Sequence, residues 1–212
     1  MSTQSSTVVL VHGAWHGSWV WDRVIPLLEA RGLSARTVDL PSVGSVPGVA
    51  ADLSGDAAVV KDMLDQVDGR ALLCGHSYGG MVISAAAAGR SDVSRLVYLC
   101  AFMPAEGESL VQLTGGEPAP WIQLLDGGLT LPDPAQAAEV FYADCDAETM
   151  REASARIKPM SGAAFGEPVA ATAWHDVPST YVVCSQDRAI PDRKSTRLNS
   201  SHIQKSRMPS SA

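Results

Sequence analysis

Charge is scarce in this chain, and positive charge scarcer still. Charged residues are 18% of the 212, with 16 Lys and Arg against 23 Asp and Glu, for a formal net charge of −7. So few basic residues argue against nucleic acid or an anionic membrane surface as the partner, because both are gripped through Lys and Arg. Long apolar runs are missing too. No stretch reaches the roughly 20 residues a bilayer-spanning helix needs, and the alanines at 85–88 sit in a short helical segment. The opening MSTQSSTVVL has no basic start, apolar core and cleavage site, so no secretory signal is expected. Cysteine is limited to 4 residues. None has zinc-site spacing: Cys74, Cys100 and Cys184 lie in apolar, strand-like runs, and Cys145 follows Asp144. The expectation is reduced, buried thiols in a cytoplasmic protein that holds no metal. No internal repeat is present. What is there is 46% hydrophobic, enough for one globular domain with a sizeable core.

Short apolar runs alternate with helical patterns. Strands are expected at Thr7–Val11, Ala35–Leu40, Ala71–Gly75, Arg95–Phe102 and Thr180–Ser185. Helices are expected at Trp21–Ala30, Ala50–Val67 and Gly80–Ala88. Strands apolar on both faces and interleaved with helices imply an α/β fold with a mostly parallel sheet covered on both sides. Residues 104–172 break the alternation with Pro104, Gly115-Gly116, Pro118, Pro120, Gly127-Gly128, Pro132 and Pro134. Helical patches stand at 134–141 and 147–158. The segment reads as a cap or lid inserted over the sheet, since a structureless connection of that length is uncommon. The expected division is therefore 1–103 for the first part of the core, 104–172 for the cap, 173–191 for a returning core strand, and 192–212 for a tail of different character.

Gly75-His76-Ser77-Tyr78-Gly79-Gly80 matches G-x-S-x-G between a strand and a small-residue helix. That context forces a serine into a strained turn with its hydroxyl exposed, and Ser77 is the candidate nucleophile. Flanking glycines are needed because side chains there would collide with the neighbouring strand and helix. The competing reading, a glycine-rich turn binding phosphate at a helix N-terminus, lacks a Walker-type lysine. Two backbone N–H groups should form an oxyanion hole: that of Tyr78, after the nucleophile, and that of Ala14, in the loop after the first strand. Each such donor is worth roughly 10²–10³ in rate. Gly13 permits a tight turn beneath the serine. His12 is read as shaping that loop by hydrogen bonding rather than moving a proton, and His16 is read as structural. Trp15, Trp19 and Trp21 read as core or pocket wall. Asp187, ending the strand after the cap, is the candidate acid that orients a histidine. Asp133, Asp144 and Asp146 read as solvent-facing.

The runs LVHGAWHGSWVW (Leu10–Trp21), VDL (Val38–Leu40), GHSYGGM (Gly75–Met81), YLCAFMP (Tyr98–Pro104) and YVVCSQDRAIP (Tyr181–Pro191) resemble the α/β-hydrolases. The branch is that of plant methylesterases, salicylate-type esterases and hydroxynitrile lyases, with bacterial esterase relatives. The resemblance implies Ser77 as nucleophile, Asp187 as acid, Ala14 and Tyr78 as oxyanion donors, no cofactor, and a small-molecule ester as substrate. Trp121, Leu124, Leu125 and Phe141 of the cap are candidates for the pocket wall. The lyases of the branch carry threonine where this chain has Gly13 and cysteine where it has Tyr78, so these two residues favour an esterase over cyanohydrin cleavage. A ligand-binding member without turnover is the other alternative.

The family's catalytic histidine follows a helix and strand beyond the acid. Here, from Asp192, the composition turns to Arg, Lys, Ser and Asn, with no apolar strand. DRKSTRLNSSH and SRMPSSA resemble what a reading frame of a common sequencing adapter encodes. The expectation is a non-native tail over 192–212, the last strand and helix of the fold missing, and His202 a coincidental histidine. On that expectation strand 180–185 has an unpaired edge, and the chain expresses poorly and shows no Ser77-dependent turnover.

Overall fold

The computed structural model describes residues 7–48 and 51–190, together with the backbone of 203–208. In chain order, β1 (Thr7–Val11), α1 (Ile25–Glu29), β2 (Ser34–Val38), α2 (Leu53–Asp65), β3 (Ala71–His76), α3 (Gly79–Ala86) and β4 (Val93–Leu99) alternate strand with helix. A mixed segment follows: α4 (Leu110–Thr114), β5 (Ile122–Leu125), β6 (Leu129–Pro132), α5 (Pro134–Phe141), α6 (Ala147–Ser154), β7 (Met160–Ser161) and α7 (Ala163–Gly166). Then come β8 (Ser179–Cys184) and β9 (Ile203–Met208).

The main sheet has six strands in the order β2-β1-β3-β4-β8-β9, each neighbouring pair parallel. Successive residues of β1 bury on opposite faces. Val9 and Val11 join the larger core with Leu73, Leu96, Val60 and Met81, while Val8 and Leu10 pack with Trp21 and Cys74 on the other side. Burial on both faces is why β1 reads as a continuous apolar run without alternation. Helix α2 is set by Asp52, whose side chain accepts from the Gly55 amide at 2.9 Å, and it buries Leu53, Ala57, Val60 and Leu64 along one stripe.

Four differences from the sequence reading have physical causes. The helix expected from Trp21 begins at Ile25, because Pro26 is tolerated only in a first helical turn; a 3-10 turn covers Ser18–Trp21. The segment 104–172 holds, besides helices, an antiparallel sheet β5-β6-β7. Its strands are four residues or fewer, too short for periodicity to register. The four cysteines are not all thiols: Cys100 and Cys184 form a disulfide, while Cys74 and Cys145 are free. Leu99 and Val182 are partners across β4 and β8, so the residues just past them fall side by side, which sequence separation conceals. Lastly, the stretch read as strandless supplies β9, paired with β8 from Ser179↔Ile203 to Cys184↔Met208. The expected unpaired edge of β8 is therefore covered. Ladder hydrogen bonds belong to the main chain, so an edge strand can form from IQKSRM without an apolar run. The rest of the expected tail, His202 included, lies outside the described residues.

Candidate active site

The C-terminal ends of β1, β3, β4 and β8 meet around one cleft, and backbone strain gathers there. Ser77 (φ +52°), Trp15 (φ +61°) and Cys100 (φ +44°) are the non-glycine residues in the left-handed region among those described, and all three line the cleft. Such conformations cost on the order of 1–3 kcal/mol each and persist only where the surroundings enforce them. At Ser77 the enforcement is visible. Its amide donates to Leu99 O at 3.3 Å, and its carbonyl accepts from Gly80 N and Phe102 N, both at 3.0 Å. The turn also needs bare backbone around it: a Cβ on Gly75 would lie 2.5 Å from Gly79 O.

The loop after β1 passes directly over the nucleophile. A Cβ on Gly13 would stand 2.9 Å from Ser77 Cβ and 3.0 Å from His76 Nδ1. His12 is fully buried between strands: its Nδ1 donates to Gly13 O at 2.8 Å, which leaves Nε2 to accept from Leu40 N at 3.1 Å. Burial lowers its pKa. His16 repeats the arrangement one turn on. Nδ1 donates to Ala14 O at 2.7 Å and Nε2 accepts from the Tyr142 hydroxyl at 2.6 Å. Burial pushes its pKa down to about 4, so it is neutral at physiological pH and ties the Ala14 loop to the end of α5. Ala14 and Tyr78 flank Ser77 on the cleft wall, and among the described residues neither amide N–H has an acceptor.

Asp187 stands in the turn after β8. Its amide donates to Cys184 O at 3.3 Å, and its Oδ1 accepts from Ala189 N and Ile190 N, both at 2.8 Å. Desolvation raises its pKa, partly offset by those two amides. Ser77 and Asp187 line a cavity of about 700 Å³. A second, apolar lobe of about 280 Å³ opens from Ser77 beneath the 104–172 segment. Trp121, Leu124 and Phe141 line that lobe, but Leu125 does not. Successive residues of β5 point to opposite faces, so Leu124 and Leu125 cannot both face the cleft. Trp15 is buried in the wall, its Nε1 donating to Thr130 Oγ1 at 3.1 Å; Trp21 is core, and Trp19 lies half-buried under the Arg156 guanidinium at 4.5 Å.

Sequence reasoning missed a buried network behind the site. Asp56, in the first turn of α2, is 0% exposed and accepts from Ser42 N (2.9 Å), Ser42 Oγ (2.5 Å) and the Tyr78 hydroxyl (2.8 Å). Tyr78 is thus held at both ends, by the elbow backbone and by this carboxylate. Burial raises the Asp56 pKa despite its three donated bonds.

The model of the "Alpha/beta hydrolase family" matches residues 8–207. A pyrethroid hydrolase of Sphingobium wenxiniae is 33% identical over 206 residues, covering 87% of this chain and 72% of that protein. Salicylic acid-binding protein 2 of Nicotiana tabacum is 29% identical over 210 residues, covering 87% and 80%. Among solved structures, a pyrethroid hydrolase from Sphingobium faniae JZ-2 superposes with a TM-score of 0.84 at 28% identity, over 97% of this chain and 89% of that one.

Proposed function

The chain belongs to the alpha/beta hydrolase family, and on that premise we propose that it is a serine carboxylesterase acting on small esters. The observation that carries this is Ser77, strained at the strand-to-helix turn and opening on a cleft it shares with Asp187 and with Ala14 and Tyr78, whose amides have no acceptor among the described residues. A histidine deprotonates Ser77 Oγ, which attacks the ester carbonyl. Ala14 and Tyr78 N–H hold the oxyanion, the alcohol leaves with the histidine's proton, and water releases the acid. Asp187 orients that histidine, and Gly13 and His12 shape the loop that presents Ala14.

No histidine among the described residues is placed to be that base. His12 and His16 have both ring nitrogens engaged, His76 is packed against Gly13, and exposed His175 stacks on Trp174 at 3.7 Å. His202 is not assigned the role, because the tail around it resembles translated adapter. Gly13 also favours the ester over a cyanohydrin substrate: a threonine there would press into Ser77.

Hydrolysis of p-nitrophenyl butyrate, by this chain and by the reading frame continued from source DNA past codon 191, tests both readings. The continued frame should turn over, with kcat falling about 10⁶-fold in Ser77→Ala, and the 212-residue chain should show no Ser77-dependent turnover. Hydrolysis by the continued frame that survives Ser77→Ala would overturn the esterase reading. Turnover by the 212-residue chain that His202→Ala abolishes would overturn the reading of the tail.

A further inference from the structure

The acyl-transfer chemistry makes no use of the disulfide, yet the disulfide sits inside the cleft. Cys100 and Cys184 are bonded with their Cα atoms 5.9 Å apart, and both line the cavity shared by Ser77 and Asp187. Their chain neighbours are the supports of the two candidate catalytic groups. Leu99, before Cys100, accepts the Ser77 amide, and Phe102, just beyond it, donates to the Ser77 carbonyl. Cys184 itself accepts the Asp187 amide and so opens the turn that carries the acid. One covalent bond therefore joins the shelf under the nucleophile to the turn that holds the carboxylate. Cys100 is only 6% exposed, whereas Cys184 is partly exposed. Cys184 is thus the more accessible half of the pair and the side on which attack by an incoming thiolate is assigned.

We propose that Cys100–Cys184 is a thiol-exchange site within the cleft, opened by low-molecular-weight dithiols and clamping the Asp187 turn while closed. The thiolate of the dithiol attacks Cys184 Sγ, the S–S bond breaks, and Cys100 leaves as thiolate and takes up a proton. The second thiol of the reagent then attacks the mixed disulfide and frees Cys184 as a thiol. The protein gains two electrons and two protons, and the reagent leaves as its cyclic disulfide. In an oxidising compartment the clasp stays closed; where thiols are kept reduced it opens and closes with the thiol pool. The exchange chemistry is independent of the esterase reading, and only its consequence for Asp187 as acid rests on it.

The test uses the purified full chain, native, with and without dithiothreitol, followed by N-ethylmaleimide, peptide mass mapping and amide hydrogen exchange. None of these needs turnover, so failure here and failure of the esterase reading are separable. Partly exposed Cys145 should label in both conditions and buried Cys74 in neither. Cys100 and Cys184 should label only after dithiothreitol. The Ala189 and Ile190 amides, which now donate to Asp187 Oδ1, should then exchange at least about tenfold faster, with β3 unchanged. Labelling of the pair before reductant, or only in denaturant, would overturn the exchange site. Labelling with unchanged exchange over 187–190 would overturn the clamp.

Discussion

At the scale of single residues, the side chain of Tyr78 has a separate task from its backbone. Its N–H is the proposed oxyanion donor, whereas its hydroxyl is spent on Asp56. That carboxylate is acceptor-only when ionised, so it can take all three donors offered to it. Tyr78→Phe removes one donor and should cost about 1–2 kcal/mol of stability. If the esterase reading holds, it should also lower kcat by several-fold with KM unchanged, because only the placement of the oxyanion amide is disturbed. Asp56→Ala strands two hydroxyls and an amide in the core, and should cost about 3 kcal/mol or more. Urea midpoints and steady-state kinetics of both variants check this; a KM change in Tyr78→Phe would place its ring in substrate binding instead. Nothing in the sequence singles out Asp56, since an acid in the first turn of a helix is an ordinary feature. The placement of Ser77, Ala14, Tyr78 and Asp187 along one cleft is legible because each follows a strand end marked by local pattern, and a parallel sheet brings such ends to one edge. The disulfide and the Asp56 network were not, because each joins residues that only tertiary packing makes neighbours.

At the scale of elements, the elbow depends on how closely α3 can approach the chain leaving β4. A Cβ on Gly80 would lie 2.1 Å from Phe102 O and 2.9 Å from Ala101 Cβ. Backbone cannot give way as a flexible side chain can, so Gly80→Ala should destabilise by about 3 kcal/mol or more. Gly166, at the end of α7, has nothing within 4 Å of the equivalent position and no positive φ, so Gly166→Ala should stay within about 0.5 kcal/mol. Thermal unfolding of the pair separates steric approach from a general intolerance of alanine; equal losses would refute the packing argument. The same closeness explains which elements the sequence revealed. The central strands β1, β3, β4 and β8, buried in large part, are written mostly in apolar residues, and small-residue α3 in glycine and alanine. The antiparallel β5-β6-β7 sheet and edge strand β9 are held by backbone pairing, to which side-chain hydropathy is nearly blind.

At the scale of the whole molecule, three histidines stand about the cleft, His12 and His16 buried and His76 partly exposed, and desolvation lowers the pKa of each: His12, His16 to about 4, and His76 to about 4. In the unfolded chain they titrate near 6.5. As pH falls through 6.5 the unfolded state takes up protons that the folded state refuses, so stability present above that value is progressively lost down to the folded pKa. For His16, which is 7% exposed, the full span is worth on the order of 3 kcal/mol. The buried acids act in the opposite sense lower down. Asp56 and Asp187 have folded pKa values raised above 3.8, so their protonation favours the folded state as pH drops through the folded values. The net loss should therefore begin as pH falls through 6.5 and extend toward the folded histidine value of about 4, with the two acids offsetting part of its lower end. His16→Gln removes one of the three protonation sites. Its urea midpoint should start lower at pH 7, where the bridge from Ala14 to Tyr142 is weakened, yet decline less steeply toward pH 5 than that of the parent. A parent midpoint that is flat from pH 7 to 5 would mean these imidazoles are reached by water and protonate in the folded state.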